Sequence, residues 1–179
     1  LQLTPEERVN LQMRSFTTIW ENLWVHIDSA SRSYRYAKEK FLAIRSNSTY
    51  SLGNIIRRTP CTWLEPEWSF PKGRVESDEG LLHCAIRELE EETNIREKDL
   101  VYIDPRTVSE SIVGTNKMIY NNEYYIGVTN SLCNPVLDKD NLSQLQEIGD
   151  VGWFTYKDLL KKIRSYEEDK IRTVKFVNQ

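Results

Sequence analysis

Residues 80–93, GLLHCAIRELEEET, place two demands on one helix. Leu82, Ala85, Ile86 and Leu89 recur at i, i+3, i+4 and i+7, so they form an apolar stripe that has to face a core. Four of the six residues from Arg87 to Glu92 are glutamates, and Glu88, Glu91 and Glu92 fall at i, i+3 and i+4. Their side chains therefore converge on another face of the same helix. Like charges at that spacing repel, at a cost of about 0.2–0.5 kcal/mol per pair. A cation between them removes the penalty. A hard divalent ion such as Mg2+ suits the position, because it takes oxygen ligands, keeps several waters and combines a few carboxylates with substrate phosphates. The chain around this helix has to supply a core on one side and a cation on the other.

The remaining sequence falls into two textures. Thr4-Pro5-Glu6-Glu7 carries the signals of a helix start, with Thr4 as cap, Pro5 in the first turn and Glu7 completing a capping box. Val9, Met13, Phe16, Ile19, Trp20, Leu23, Trp24 and Ile27 then recur as a helical stripe. A second helix is expected over about 33–45, with Tyr34, Ala37, Phe41 and Ile44 as its apolar edge, so the front of the chain reads as a helical hairpin. Between Ala30 and Arg58 stand seven basic residues, Arg32, Arg35, Lys38, Lys40, Arg45, Arg57 and Arg58, against the single acid Glu39. The whole chain has a net charge of -3, so this segment is a local positive patch in an acidic background. Tyr34, Tyr36, Phe41 and Tyr50 are interleaved with it, a pattern suited to gripping phosphates and stacking on bases. From Thr59 the texture changes to strand-like runs: CTWLEPEWSF, LVYID, RTVSESIVG, KMIYNNEYYIGV with a turn expected at Asn121-Asn122, and GWFT as a last strand. One or two helices close the chain after Tyr156. The expected organisation is a helical, basic segment over 4–58 followed by an α+β domain over 59–179. Cys61, Cys84 and Cys133 show no pairing pattern for a disulfide framework or a zinc site. No run of 18 apolar residues suggests a membrane span, and a cytosolic protein is expected.

The acidic helix belongs to a longer pattern. Gly73, Glu79, Arg87, Glu88, Leu89, Glu91, Glu92 and Ile95 fit G-x5-E-x7-R-E-U-x-E-E-x-G-U, with U aliphatic. On these residues the chain resembles the Nudix hydrolases. Asn94 stands where that family has glycine, and asparagine is the residue that best tolerates a left-handed helix end after glycine. The resemblance implies an α+β Nudix fold, a mixed β-sheet sandwiched between helices, here with an N-terminal helical segment. It implies Mg2+ or Mn2+ held by Glu88, Glu91, Glu92 and a further glutamate. It also makes Gly73, Glu79 and Arg87 the frame of the box, Gly73 by allowing a backbone turn and Arg87 by pairing with Glu79.

Flanking residues narrow the substrate class. Trp68-Ser69-Phe70-Pro71-Lys72-Gly73, the helix segment Cys84-Ala85-Ile86-Arg87-Glu88 and the element Gln146-Glu147-Ile148-Gly149-Asp150-Val151-Gly152-Trp153 resemble the mRNA-decapping branch of the family. The helical front, with Trp20 and Trp24 in IWENLWVHI and the basic YRYAKEKFLAIR, resembles the viral members of that branch, those of African swine fever virus and giant viruses. Members of that group carry Nudix strands ahead of the helical segment, and the expectation is that such residues are missing from the front of this sequence. The resemblance implies cleavage of capped mRNA to m7GDP and RNA with a 5' monophosphate, in the cytoplasm of the host if the protein is viral. It places the extra glutamate at Glu147, and Glu147, Glu91 or Glu92 as the group that takes a proton from water. Lys72 is a candidate for phosphate contact, and Trp63, Tyr124 and Tyr125 are candidates for stacking on the cap base. Diphosphoinositol or dinucleoside polyphosphates are the alternative substrates, because a basic surface binds any polyanion, and an inactive RNA-binding module is the third reading. Intact Glu88, Glu91 and Glu92 argue against that last one.

Overall fold

The computed structural model describes residues 3–24, 29–114, 116–130 and 132–179. Its elements run α1 (Pro5–Met13), α2 (Phe16–Leu23), α3 (Arg32–Ser46), α4 (Leu52–Arg58), α5 (Leu81–Thr93), β1 (Leu100–Val113), β2 (Ile119–Thr129), α6 (Leu142–Glu147), α7 (Tyr156–Lys162) and α8 (Glu168–Val177). Contacts divide the chain into two units, residues 1–66 with 141–149, and residues 67–140 with 150–179. The boundary expected from sequence lay at 58/59. In contacts the helical unit runs on to Pro66 and takes in the segment that carries α6. No helix among the described residues is long and apolar enough to cross a membrane.

In the first unit the anticipated first helix is two helices. Thr4 caps α1 and Glu7 closes the capping box, as the sequence signals require. Ser15 then caps α2 by accepting from the Thr18 amide, with Arg14 in extended conformation between the helices. The break turns part of the apolar stripe outward, so Val9, Met13 and Leu23 are exposed and Trp24 is half-exposed. Ile27 lies outside the described residues. Phe16 and Tyr34 are buried within an aromatic cluster: the Phe16 ring lies 5.2 Å from Tyr34, 5.5 Å from Trp20 and 5.6 Å from Phe41, joining α2 to α3. The Tyr34 hydroxyl meets the Thr17 hydroxyl at 3.0 Å, so the polar end of this buried ring is satisfied. α4 is capped by Ser51 and lies against α1, where Arg8 is buried. The Arg8 guanidinium donates to the carbonyls of Ile56 at 3.2 Å, Thr59 at 2.7 Å and Pro60 at 2.5 Å, and Nε to Leu3 at 3.3 Å. One side chain thereby ties α1 to the carbonyls at and just after the end of α4, of which Ile56 also accepts from the Thr59 amide at 3.4 Å.

The second unit is built on the antiparallel pair β1–β2. The expected turn at Asn121-Asn122 is not there: Asn121 pairs with Ser111 and Asn122 with Glu110, inside the ladder. β1 ends at Val113 and β2 begins at Ile119, with Lys117 in the left-handed region at φ 64° and the Gly114 amide donating to the Met118 carbonyl at 2.8 Å. Both asparagine side chains work across the strands, Asn122 donating to the Glu110 carboxylate at 3.0 Å and Asn121 accepting from the Ser111 hydroxyl at 2.8 Å. The register shifts between Ile103 and Thr107, around Pro105, which has no amide to give to a ladder. There Asp104 accepts from Arg106 at 2.7 Å, and the Arg106 guanidinium lies 5.2 Å above the Phe176 ring of α8. Neither CTWLEPEWSF nor GWFT forms a strand, so β1 and β2 are the whole sheet among the described residues, where a larger mixed sheet was expected. Phe154 of GWFT instead packs edge-on against Trp68 at 4.8 Å. The apolar stripe of α5 faces a cavity of about 460 Å3 whose lining includes Leu82, Ile86, Leu89, Phe70, Tyr124 and Phe154. The two closing helices, α7 and α8, form as the sequence indicates.

Arg8 yields a stability prediction for the helical unit. Arg8→Met keeps the apolar stem and removes the guanidinium donors to the Ile56, Thr59 and Pro60 carbonyls. Urea unfolding followed by circular dichroism should show a loss on the order of 2–3 kcal/mol. A change below about 0.5 kcal/mol, the range of an ordinary surface substitution, would contradict this role.

Candidate active site

The loop at 73–80 and helix α5 position the box residues. Gly80 starts the helix in extended conformation, and Asn94 ends it in the left-handed conformation at φ 59°, its amide donating to the Glu90 carbonyl at 2.8 Å. Asn94 thus does what glycine does elsewhere at this position, and its side chain adds a bond to the Val136 carbonyl at 2.7 Å that glycine cannot make. Thr93 and Ile95 beside it are buried, which anchors the end of the helix.

Arg87 is the centre of the charge arrangement. Its Nη2 and Nε donate to the two oxygens of Glu79 at 2.6 and 3.2 Å, a two-point fork, and Nη2 also reaches the Arg74 carbonyl at 3.0 Å. Its Nη1 donates to Glu88 Oε1 at 2.7 Å and Glu91 Oε2 at 3.0 Å. The pairing with Glu79 was expected; the reach to Glu88 and Glu91 was not, although the i, i+4 spacing of Arg87 and Glu91 signals it. The Arg87 fork, together with the Glu76 amide, holds the Glu79 carboxyl well below the usual range, at about 2. The same carboxylates push the Arg87 guanidinium further up. Burial and Glu79 push the Cys84 thiol up, which leaves it a poor nucleophile.

Gly73 stands out for a contact and not for its backbone angle. Among the described residues no glycine has a positive φ, so Gly73 supplies no turn that a side chain forbids. A Cβ built there overlaps the Glu88 carboxylate, so what Gly73 provides is a backbone against which Glu88 can press. The Glu88 side chain is largely shielded, that of Glu91 is exposed, and Glu92 is half-buried on the same helix. This donor set, oxygen only and with one carboxylate held in a glycine cradle, fits a hard divalent ion. Among the described residues no three His, Cys, Asp or Glu side chains are gathered to hold a metal ion as they stand, and the Arg87 guanidinium lies against both Glu88 and Glu91.

Other expected residues fall as follows. Glu147 ends α6 in the first unit, while Glu88, Glu91 and Glu92 lie on α5 in the second. Lys72 is exposed on the loop before Gly73. Tyr124, a candidate for base stacking, is buried with its ring 5.4 Å from Phe70 and its hydroxyl donating to Glu110 at 2.8 Å, so it is not open to a base. In the first unit Arg32, Arg35, Lys38, Lys40, Arg57 and Arg58 are exposed. Arg45 is employed inside the unit, donating to the carbonyls of Arg14 at 2.7 Å and Gln12 at 2.5 Å. Lys40 lies 4.3 Å over the exposed ring of Tyr36, which makes a mixed cationic and aromatic surface on the outer side of α3.

The depressed Glu79 carboxyl gives a pH prediction with a definite sign. Its pKa in the folded state is about 2, against about 4.3 in an unfolded chain. Its contribution is therefore complete above the unfolded value and is lost as pH falls through the folded one. The thermal midpoint of the wild type should fall between about pH 5 and pH 2 more steeply than that of Glu79→Gln, which has no such group to lose. Parallel curves for the two proteins across that window would remove Glu79 from this role.

A model of the NUDIX domain family matches residues 36–174. The chain is 37% identical over 155 residues to the Acanthamoeba polyphaga mimivirus protein named "Putative mRNA-decapping protein", an alignment that covers 79% of this chain and 41% of that protein. It is 28% identical over 160 residues to mRNA-decapping protein g5R of African swine fever virus (isolate Pig/Kenya/KEN-50/1950), covering 84% of this chain and 62% of that protein. The chain thus spans about two-fifths of the first relative and three-fifths of the second. The family match takes in most of the chain, including the whole glycine-to-isoleucine pattern from Gly73 to Ile95, and the chain belongs to the NUDIX domain family.

Proposed function

We propose that this chain is a metal-dependent mRNA-decapping hydrolase, cleaving the 5' cap to release m7GDP and RNA with a 5' monophosphate. The observation that carries this reading is the oxygen-only face of α5, with Glu88 set against Gly73 and with Glu79 and Arg87 framing it. Two relatives that bear the name of mRNA-decapping proteins support the choice of substrate.

In this reading Glu88, Glu91 and Glu92 would hold Mg2+ or Mn2+, and Glu147 is the further glutamate that the decapping resemblance implies. The metal supplies Lewis-acid polarisation of phosphate oxygens and acidifies the attacking water. Glu147, Glu91 or Glu92 accepts the proton from that water as its oxygen adds to phosphorus and the phosphoanhydride bond breaks. Arg87 and Glu79 keep the loop and α5 in register and do not react. Lys72, exposed beside Gly73, contacts a phosphate of the substrate. The RNA body lies along the exposed basic residues of the first unit, Arg32, Arg35, Lys38, Lys40, Arg57 and Arg58, with Tyr36 available to stack on a base. Arg45, whose fork is engaged by backbone carbonyls, has little to give to RNA.

Two experiments test the reading. The chain is incubated with Mg2+ or Mn2+ and cap-labelled RNA, with a diphosphoinositol and a dinucleoside polyphosphate in parallel, and the released product is identified. Release of m7GDP in preference to inositol or nucleotide products is expected, and Glu91→Gln should abolish turnover while RNA binding is retained. In the second experiment Arg32, Arg35 and Lys38 are replaced together by alanine. Hydrolysis of capped RNA at low salt should slow by about tenfold or more, because each lost phosphate contact removes a share of counterion release. Hydrolysis of a short cap analogue should be unaffected, and equal slowing of both would remove RNA from this surface.

A further inference from the structure

The two arms of the Arg87 guanidinium sit in different settings. Nε and Nη2 are committed to Glu79, whose side chain is 15% exposed, and to the Arg74 carbonyl. Nη1 faces the other way, touching Glu88 and Glu91 through one nitrogen, and the Glu91 side chain is 58% exposed. A two-point fork is a stronger contact than single bonds made from one shared nitrogen, and of the two carboxylates on Nη1 only Glu88, 13% exposed, is as shielded as Glu79, while the contact to the solvated Glu91 is weak. Glu88 and Glu91 are two of the three carboxylates assigned above to the metal. The positive charge between them in this structure belongs to a side chain.

We propose that Arg87 is a resident counter-cation for the metal site. Nη1 holds Glu88 and Glu91 together while no divalent ion is bound, and it gives them up to an incoming Mg2+ or Mn2+ while Nε and Nη2 stay on Glu79. This rests on the metal-binding reading above. The physical reason is direct competition: an ion bound through the oxygens now facing Nη1 stands beside that nitrogen and repels it. The anchored arm keeps the guanidinium close, so the carboxylates are neutralised again when the ion leaves. α5 therefore never carries its glutamates without a nearby positive charge. An arginine acting only through Glu79 would neither compete with the ion nor be released by it.

The test measures metal binding and Arg87 itself, not turnover. Free Mn2+ is counted by electron paramagnetic resonance in titrations of the wild type and of Arg87→Met. Arginine side-chain 15N spectra of the wild type are recorded as Mg2+ is added. Arg87→Met should bind Mn2+ about three- to tenfold more tightly than wild type, because the competing charge is gone. In the wild type, Mg2+ should shift the Arg87 Nη signals and speed their exchange with water while the Nε–H stays protected. Equal or weaker Mn2+ binding by a folded Arg87→Met overturns the proposal, and so do Nη signals that Mg2+ leaves unmoved. The wild-type spectra decide the matter if Arg87→Met does not fold. A wild type that binds no Mn2+ defeats the metal reading and this proposal with it; a wild type that binds Mn2+ with Arg87 undisturbed defeats this proposal alone.

Discussion

Repulsion among the glutamates of α5 is the constraint around which this chain is arranged. Glu88 and Glu91 share one guanidinium nitrogen, and the rest of that guanidinium is fixed on Glu79. The fork draws the loop at 73–80 onto the helix, and the glycine at its start lets Glu88 close against backbone. A helix that would be penalised for its charges in isolation is held with them oriented, at the cost of one arginine and one further carboxylate. The same arrangement explains why the loop and helix act as one device. Lengthening the loop, or giving Gly73 a side chain, would displace Glu88 before it disturbed any apolar contact.

The helical unit answers a different demand, which is to carry cationic side chains on an exposed surface while keeping a small core. It does so by assigning arginines to two jobs. Arg8 and Arg45 turn inward and serve backbone carbonyls, while Arg32, Arg35 and Arg58 stay outside. Guanidinium suits the inward job because its planar fork meets several carbonyls at once, which an ammonium does not do as well. The aromatic cluster around Phe16 and Tyr34 supplies the apolar burial that such short helices need. Charge count alone therefore overstates the surface available to a polyanion.

Much of the acidic helix was legible in the sequence because its signals are local. The spacing of Leu82, Ala85, Ile86 and Leu89 follows from helix geometry, and the Arg87–Glu79 pair and the left-handed Asn94 were expectations that the resemblance to the Nudix pattern implies over about 20 positions. What was not legible depends on single caps or on distant contacts. Ser15 and Ser51 start helices that apolar periodicity alone cannot place, because a capping serine is read only when the break is already suspected. Asn121-Asn122 has turn chemistry, yet cross-strand bonds to Ser111 and Glu110 make it strand. GWFT has strand composition, yet its phenylalanine finds Trp68 instead of a neighbouring strand. Gly73 lies against Glu88, a contact across 15 positions that sequence does not display.

The central claim is that Glu88, Glu91 and Glu92 gather a divalent ion on one face of α5. The most direct measurement is anomalous diffraction from crystals of this chain soaked in Mn2+ at neutral pH. The account predicts a manganese peak among the carboxylates of those three residues. Crystals with that position empty, or with manganese bound only elsewhere on the surface, would contradict it.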